Sequence, residues 1–306
     1  MYNIISKSKI WLSISGLLIA ASIIALSMWG LRLGIDFTGG SLLEANFSNN
    51  RPTVTEVEEK LINLNLQSLT VQPVNEKGMI LRFQNTSEET HQAVLSKLRE
   101  LAPSTDEQSK TAAVEELRFE AVGPSVGQEL QRKAIYATIL VLLAISLYIA
   151  WAFRRVSRPV TSWKYGVATI ISLFHDVAIV LGFFAYLGKF HGVEINTSFV
   201  AAVLTVLGFS VHDTIVVFDR LRENLPRSND DFAGTVNTSV NQTLRRSINT
   251  SLTVMLVLLS ITILGGASIH YFSLALLVGI FFGTYSSIFL ASPLLVMWHE
   301  LKQRSS

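Results

Sequence analysis

The sequence predicts a polytopic α-helical membrane protein: six transmembrane helices, with an extracytoplasmic α+β domain between the first and second. Three observations predict it. Of 306 residues, 49% are hydrophobic and only 16% charged, where soluble domains average about 25% charged. Six apolar stretches reach the length, about 20 residues, that a helix needs to cross a bilayer. Residues 32–133 break this pattern, holding 11 Lys/Arg against 15 Asp/Glu while the remainder holds 14 against 8. An acidic middle between basic ends suits a translocated domain. The chain has no cysteine, which removes disulfides, thiolate metal sites and a cysteine nucleophile.

Residues 1–31 are read as a cytoplasmic N-terminus and the first span. That span, 10–30 (IWLSISGLLIAASIIALSMWG), is longer than the ~7–15-residue core of a signal peptide and is expected to stay as an anchor.

Residues 32–133 form the extracytoplasmic domain. Strands are expected at SLLEANF (41–47), LTVQPV (69–74), MILRFQ (79–84) and EELRFEAVG (115–123). Between them, 53–66 places Val54, Val57, Leu61 and Leu64 at helical spacing, and Thr53 with Glu56 fits a capping box. A second helix, 87–102, has Val94, Leu95, Leu98 and Leu101 on one side, Ser87 as its cap and Pro103 beyond its end. Lys77-Gly78 marks a hairpin turn. The order βαββαβ is the ferredoxin-like arrangement. Residues 103–113 read as an exposed loop. His91, the domain's one histidine, is placed on an exposed helix position with a surface role.

The remaining spans are 134–153, 165–187, 196–218, 247–265 and 271–297, within a five-helix region 134–299 ahead of a cytoplasmic tail, 300–306. With the N-terminus inside, Lys7, Lys9, Arg154, Arg155, Arg158, Lys164, Arg220, Arg222, Arg227, Arg245, Arg246, Lys302 and Arg304 fall on the inner side. Lys189 alone falls in the short outer loops. This asymmetry puts both termini in the cytoplasm. Trp11, Trp29, Trp151, Trp163 and Trp298 lie near span ends, as an interfacial belt requires.

The chemistry-bearing residues are ionisable groups inside spans. The sixteen residues Asn196 to Val211 carry no charge, and then come His212 and Asp213. A charge at mid-bilayer costs at least ~2.5–3.5 kcal/mol, so such residues face a bundle interior or a water cavity. The third span carries His175-Asp176, and Arg245-Arg246 stands at the entrance to the fifth. At 1.5 Å per residue, Asp176 lies roughly 18 Å and Asp213 roughly 9 Å from the cytoplasmic boundary. The long side chain of Arg246 reaches inward, so a meeting with Asp213 is allowed. Staggered carboxyls with one arginine suit a proton route: Asp213, Arg246, His212, Asp176 and His175. Plainer readings stand beside it. His175 serves equally as an interhelical hydrogen-bonding residue, with Asp176 closing that network, and His212 as a group that holds Asp213. Arg245 is read as a topology signal.

Gly279 and Gly283 with Ser287 form a small-residue stripe, read as helix packing, and Gly265-Gly266 as a tight outer turn. Asp36, Gly39 and Gly40 in LGIDFTGGSLLE (33–44) are read as a hinge motif after the first span. No catalytic set, metal-ligand set or phosphate-binding GxxxxGK[ST] loop is present. The expectation is therefore a non-enzyme without cofactor, protons being the coupling ion, and without nucleic acid as partner.

Four segments, LGIDFTGGSLLE, FHDVAIVLGFFAYLG, GFSVHDTIVVFDRLRENL and NQTLRRSINTSLTVMLVLLSITILGG, resemble the signatures of the SecF family in the right order. The resemblance implies a subunit of the Sec preprotein translocase in the bacterial cytoplasmic membrane. It implies SecD as partner, each chain forming half of an RND-type bundle. SecYEG is implied as channel, SecA as the ATPase and a preprotein as substrate. It makes Asp213 the proton-responsive carboxylate and Arg246 its basic counterpart. The family pattern has Asn before that Asp, where this chain has His212. Half of an RND-type small-molecule or lipid exporter, and a non-coupling scaffold of a channel complex, stay open as alternatives.

Overall fold

The computed structural model describes residues 2–48, 51–84, 86–102, 114–154 and 160–304. The expected loop 103–113, and Arg155 and Arg158 of the inner basic set, lie outside these residues. The chain forms two compact units, Met1–Arg32 with Ile135–Ser306, and Leu33–Ala134.

The smaller unit holds helix α2 (Ile35–Thr38), strand β1 (Gly40–Phe47), α3 (Val54–Leu61), β2 (Thr70–Val74), β3 (Gly78–Phe83), α4 (Glu88–Leu101) and β4 (Val114–Val122). The sheet runs β2-β3-β1-β4, antiparallel throughout, which is the ferredoxin-like order. Alternation in β1 buries Leu43, Ala45 and Phe47 on one face, as a period of two requires. Met79 and Leu81 of β3 join them, and α3 and α4 cover that face with Val57, Leu61, Val94 and Leu98.

Both helix starts follow local chemistry. Thr53 and Glu56 make the reciprocal capping box, with Thr53 N donating to Glu56 Oε2 at 2.7 Å. Ser87 Oγ accepts from Thr90 N at 3.2 Å. The bond from the Thr53 backbone holds the Glu56 carboxyl below its ordinary range. Those from Gln92 and His91 do the same for Glu88.

The GG pair is tightly enclosed. Gly39 has φ +75° and Gly40 φ +119°, conformations that favour glycine. A Cβ on Gly39 would stand 2.7 Å from Pro124 Cα, and one on Gly40 2.7 Å from the Phe83 carbonyl oxygen.

His91 corrects the expectation of an exposed position. It is 5% exposed, its Nδ1 3.1 Å from Glu88 Oε1 and its Nε2 3.1 Å from Glu116 Oε2. Its ring stacks on Phe119 with centroids 3.7 Å apart. The reason is helical spacing: residue 91 is three and four positions before Val94 and Leu95 and shares their inward face.

The larger unit carries the spans. They are α1 (Ser8–Trp29), α5 (Pro124–Ala152, whose first turns belong to the smaller unit), α6 (Ser162–His191), α7 (Thr197–Asn224) and α8 (Phe232–Leu264). The sixth is α9 (Ala267–Ser286), which continues through a π turn (Ser287–Ala291) into α10 (Ser292–Arg304). Among the described residues, six helices are thus long and apolar enough to cross a membrane.

Two start well before their apolar stretches. α5 begins at Pro124, a residue suited to the first helical position. α8 begins at Phe232, where Asp231 Oδ1 accepts from Gly234 N at 2.7 Å. α6, α7 and α9 form the buried centre. α7 packs on α6, α8 and α9, and α1 on α6. The small stripe on α9 fits closely against α7: a Cβ on Gly279 would meet Val206 Cγ2 at 2.2 Å. The N-terminal segment is tied down, Tyr2 N donating to Asn241 Oδ1 at 2.7 Å and Ile4 N to Asn237 Oδ1 at 2.9 Å.

Candidate functional site: two buried acids in the helix bundle

On α6, Tyr165, Thr169, Ser172 and Asp176 recur at helical spacing, and all are buried. Asp176 is completely enclosed. Its Oδ2 accepts from Ser210 Oγ of α7 at 2.5 Å and from Ser286 Oγ at 2.8 Å, while His175 Nδ1 lies 2.9 Å from Oδ1.

The π turn explains how two consecutive serines serve two helices. Ser286, the last residue of α9, bonds Asp176 of α6. Ser287, the first of the wide turn, meets Thr214 of α7 at 2.9 Å and donates to the Ser210 carbonyl at 3.2 Å. Single π turns of this kind often sit at functional positions.

Asp213 stands one turn beyond Ser210 on α7 and is 3% exposed. Ser251 Oγ of α8 lies 3.5 Å from its Oδ2 and 2.6 Å from Thr284 Oγ1. Ser247 and Thr284 also lie beside this carboxyl, and among the described residues the Ser247 hydroxyl has no partner at hydrogen-bonding distance. The two acids therefore sit in one hydroxyl-rich layer shared by α6, α7, α8 and α9, joined through a single turn of α7.

Asp176, His175 and Asp213 are brought together in this layer. Arg246 is not: it is exposed on α8, and no ion pair joins it to Asp213 among the described residues. The depth estimate allowed that meeting, but adjacent residues on a helix point about 100° apart, and it is Ser247 that turns toward Asp213. His212 is likewise exposed, on the opposite side of α7 from the layer. Asp36 lies in the first turn of α2, half-buried.

Among the described residues, three polar atoms in α6 are buried without a hydrogen-bond partner: Tyr165 OH, Ser172 Oγ and His175 Nε2. Such a group costs about 1–3 kcal/mol. The hydroxyl partners Ser210, Thr214, Ser251, Thr284 and Ser286 were not singled out from sequence, because hydroxyls are ordinary in membrane helices. Two signals are present in the sequence: Ser210 precedes Asp213 by one turn, and Ser286-Ser287 interrupts an apolar run.

Residues 104–301 match the family described as protein export membrane protein SecD/SecF, C-terminal, and residues 28–50 match the SecD/SecF GG motif. A protein translocase subunit SecF from Thermobaculum terrenum is 44% identical over 98% of this chain and 95% of its own length. The chain belongs to the SecF family of protein translocase subunits. A second SecF, from Anaerolinea thermophila, is 38% identical over 100% of this chain and 96% of its own length. The crystal structure of SecDF from Thermus thermophilus, described as a translocon-associated membrane protein, matches with TM-score 0.81 and 33% identity over 98% of this chain. The chain spans 39% of the length of that SecDF chain. The matched GG motif contains the enclosed Gly39-Gly40 corner. Membership in this family makes the protein a multi-pass membrane transport subunit.

Proposed function

We propose that the chain acts with a SecD subunit in a Sec preprotein translocase, using the proton gradient to complete export after SecA has driven the preprotein through SecYEG. The observation that carries this reading is the burial of two acids, Asp176 and Asp213, in one hydroxyl layer within the spans. An intramembrane ionisable group facing a bundle interior is by default a candidate for an ion pathway. One charge crossing the membrane potential supplies about 2.3 kcal/mol per 100 mV. The coupling ion is the proton, and no cofactor or bond-making step enters.

The hydroxyl partners of Asp213 suit the neutral acid, and a guanidinium suits the carboxylate. Turning α8 by about 100° exchanges Ser247 for Arg246 beside Asp213. Such a rotation, passed along α7 to the rest of the bundle, is the step that shifts the outer domain against the emerging chain. The SecD subunit is expected along α7, where Ala201, Thr205, Gly208 and His212 form an exposed stripe. An outward-facing imidazole in mid-span calls for a protein or water partner. Both termini are placed in the cytoplasm and residues 32–133 outside, on the distribution of Lys and Arg.

The test is export into reconstituted vesicles with an imposed proton gradient. Asp213→Asn is expected to abolish the stimulation by the gradient and His212→Asn to retain it. Undiminished stimulation in Asp213→Asn removes that carboxyl from the mechanism.

A further inference from the structure

The hydroxyl layer accounts for Asp176 and Asp213, but not for the polar face of α6 that runs from Asp176 toward the basic end of the bundle. Tyr165, Ser172 and Asp176 lie within about 40° of one another around the helix axis, and Tyr165 stands about 16 Å from Asp176 along it. Tyr165 OH and Ser172 Oγ are buried and unpartnered on this face, and His175 Nε2 is unpartnered beside it. Nothing in apolar packing requires a hydroxyl at either position. Buried groups in this condition are the usual hosts of internal water.

The line ends in an aromatic cluster. Tyr165 stacks on Phe153 at 5.5 Å and 2°, and meets Phe218 of α7 edge-on at 5.2 Å, with Phe153 and Phe218 6.0 Å apart. Phe153, Tyr165 and Phe218 are at most 2% exposed. Immediately beyond stand Lys164 and the pair Trp163–Trp298, 6.1 Å apart, which mark the interface.

We infer that this face is a water-holding proton exit from Asp176 to the cytoplasmic end, and that the rings of Phe153, Tyr165 and Phe218 are its gate. The ligand is water, held by Ser172 Oγ, Tyr165 OH and His175 Nε2. A proton leaves the Asp176 carboxyl, passes along these waters and is released beyond Tyr165, whose hydroxyl accepts one proton as it donates another. The carboxylate left behind keeps its bonds from Ser210 and Ser286. Tyr165 has two parts in this: its ring closes the route and its hydroxyl belongs to it. The inference rests on the proton-coupled reading above and adds the route and the gate.

The test uses the full chain purified with its SecD subunit, in proteoliposomes loaded with a pH-sensitive dye and given an external acid jump. Phe218→Ala is expected to raise passive proton entry several-fold over the unmodified complex. Phe218→Ala combined with Asp176→Asn is expected to return to the unmodified level. Tyr165→Phe, which keeps the ring and loses the hydroxyl, is expected not to leak and to slow gradient-driven export. Unchanged entry through a Phe218→Ala complex with an unmodified thermal midpoint overturns the gate. Leakage that persists without the Asp176 carboxyl overturns the route. Should Phe218→Ala not assemble, Phe153→Leu thins the same plug and is scored the same way. An unmodified complex whose export ignores the gradient overturns the coupling reading, while dye entry still decides the route.

Discussion

Ser210 Oγ donates to Asp176 Oδ2 at 2.5 Å, so α7 holds the acid of the neighbouring helix one turn from its own acid, Asp213. A shift of α7 relative to α6 changes the surroundings of both carboxyls together. The bond also stabilises the bundle. Ser210→Ala leaves Asp176 with Ser286 and His175 as partners, and removing a hydrogen-bond partner from a buried polar group costs about 1–3 kcal/mol. A lower thermal unfolding midpoint in detergent is expected, together with a changed response of export to the gradient. Asp176→Asn is expected to alter export more than stability, because the amide can still accept from both serines. If both variants lose only stability, Asp176 is a packing group.

Two carboxylates in the first turns of α3 and α4, Glu56 and Glu88, are expected to contribute to the acid limb of stability. Glu56 and Glu88 are held below the ordinary range by bonds from the Thr53 backbone and from Gln92 and His91. A depressed carboxyl contributes above the unfolded-state value, about 4.3, and loses that contribution as pH falls through the folded value. Stability should therefore fall below about pH 4.3 with a slope that Glu56→Gln and Glu88→Gln reduce. Thermal unfolding measured from neutral to acid pH checks this. An acid limb unchanged in both variants argues that these two carboxylates do not contribute to it.

How much of this was legible in the sequence depends on the kind of interaction. Thr53 and Glu56 interact within one turn, so spacing alone placed the capping box. The six spans follow from apolar length, and the order of strands and helices from local periodicity. The long polar starts of α5 and α8 were missed because Pro124 and Asp231 mark helix ends without the apolar pattern continuing to them. The polarity of His91 points to the surface, while its spacing from Val94 and Leu95 puts it on the buried face, and the spacing decides. Asp176 and Asp213 stood out as charges in apolar runs. Their partners come from three other helices, and no local rule joins Asp176 to Ser286, 110 positions away. Arg246 shows the limit of depth as a guide: it gives level along a helix but not direction around it.

The GG corner gives a local test. Gly39 and Gly40 have positive φ, and neither position has room for a Cβ. Holding a non-glycine residue in such a conformation costs about 1–3 kcal/mol. Gly40→Ala adds a clash with the Phe83 carbonyl oxygen at the start of β1, and is expected to destabilise the outer domain more than a Gly16→Ala change in α1, where nothing lies within 4 Å. Limited proteolysis of the full chain in detergent would read this as faster cleavage between residues 33 and 134. Equal cleavage of the two variants argues against the corner as a structural requirement.

His91 ties α4 to β4, and its contributions can be separated. The ring supplies a stack on Phe119, and its two nitrogens face Glu88 and Glu116. Glu88 is exposed and regains water when the histidine is lost, but the Glu116 side chain is 29% exposed and recovers less. His91→Ala removes the stack and both polar contacts, and leaves a cavity beneath α4. His91→Phe keeps an aromatic ring against Phe119 and loses only the polar contacts, each worth about 0.5–1.5 kcal/mol where neither partner is left buried. Glu88→Gln keeps an acceptor for the ring at an exposed site and should cost least. The expected order of destabilisation is His91→Ala, then His91→Phe, then Glu88→Gln, read as thermal midpoints of the full chain at neutral pH. If His91→Phe matches the unmodified protein, the bridge to Glu116 contributes nothing and α4 is held by its apolar face alone. If it matches His91→Ala, the stack is the part that does not matter, and the polar bridge is what joins the helix to the sheet.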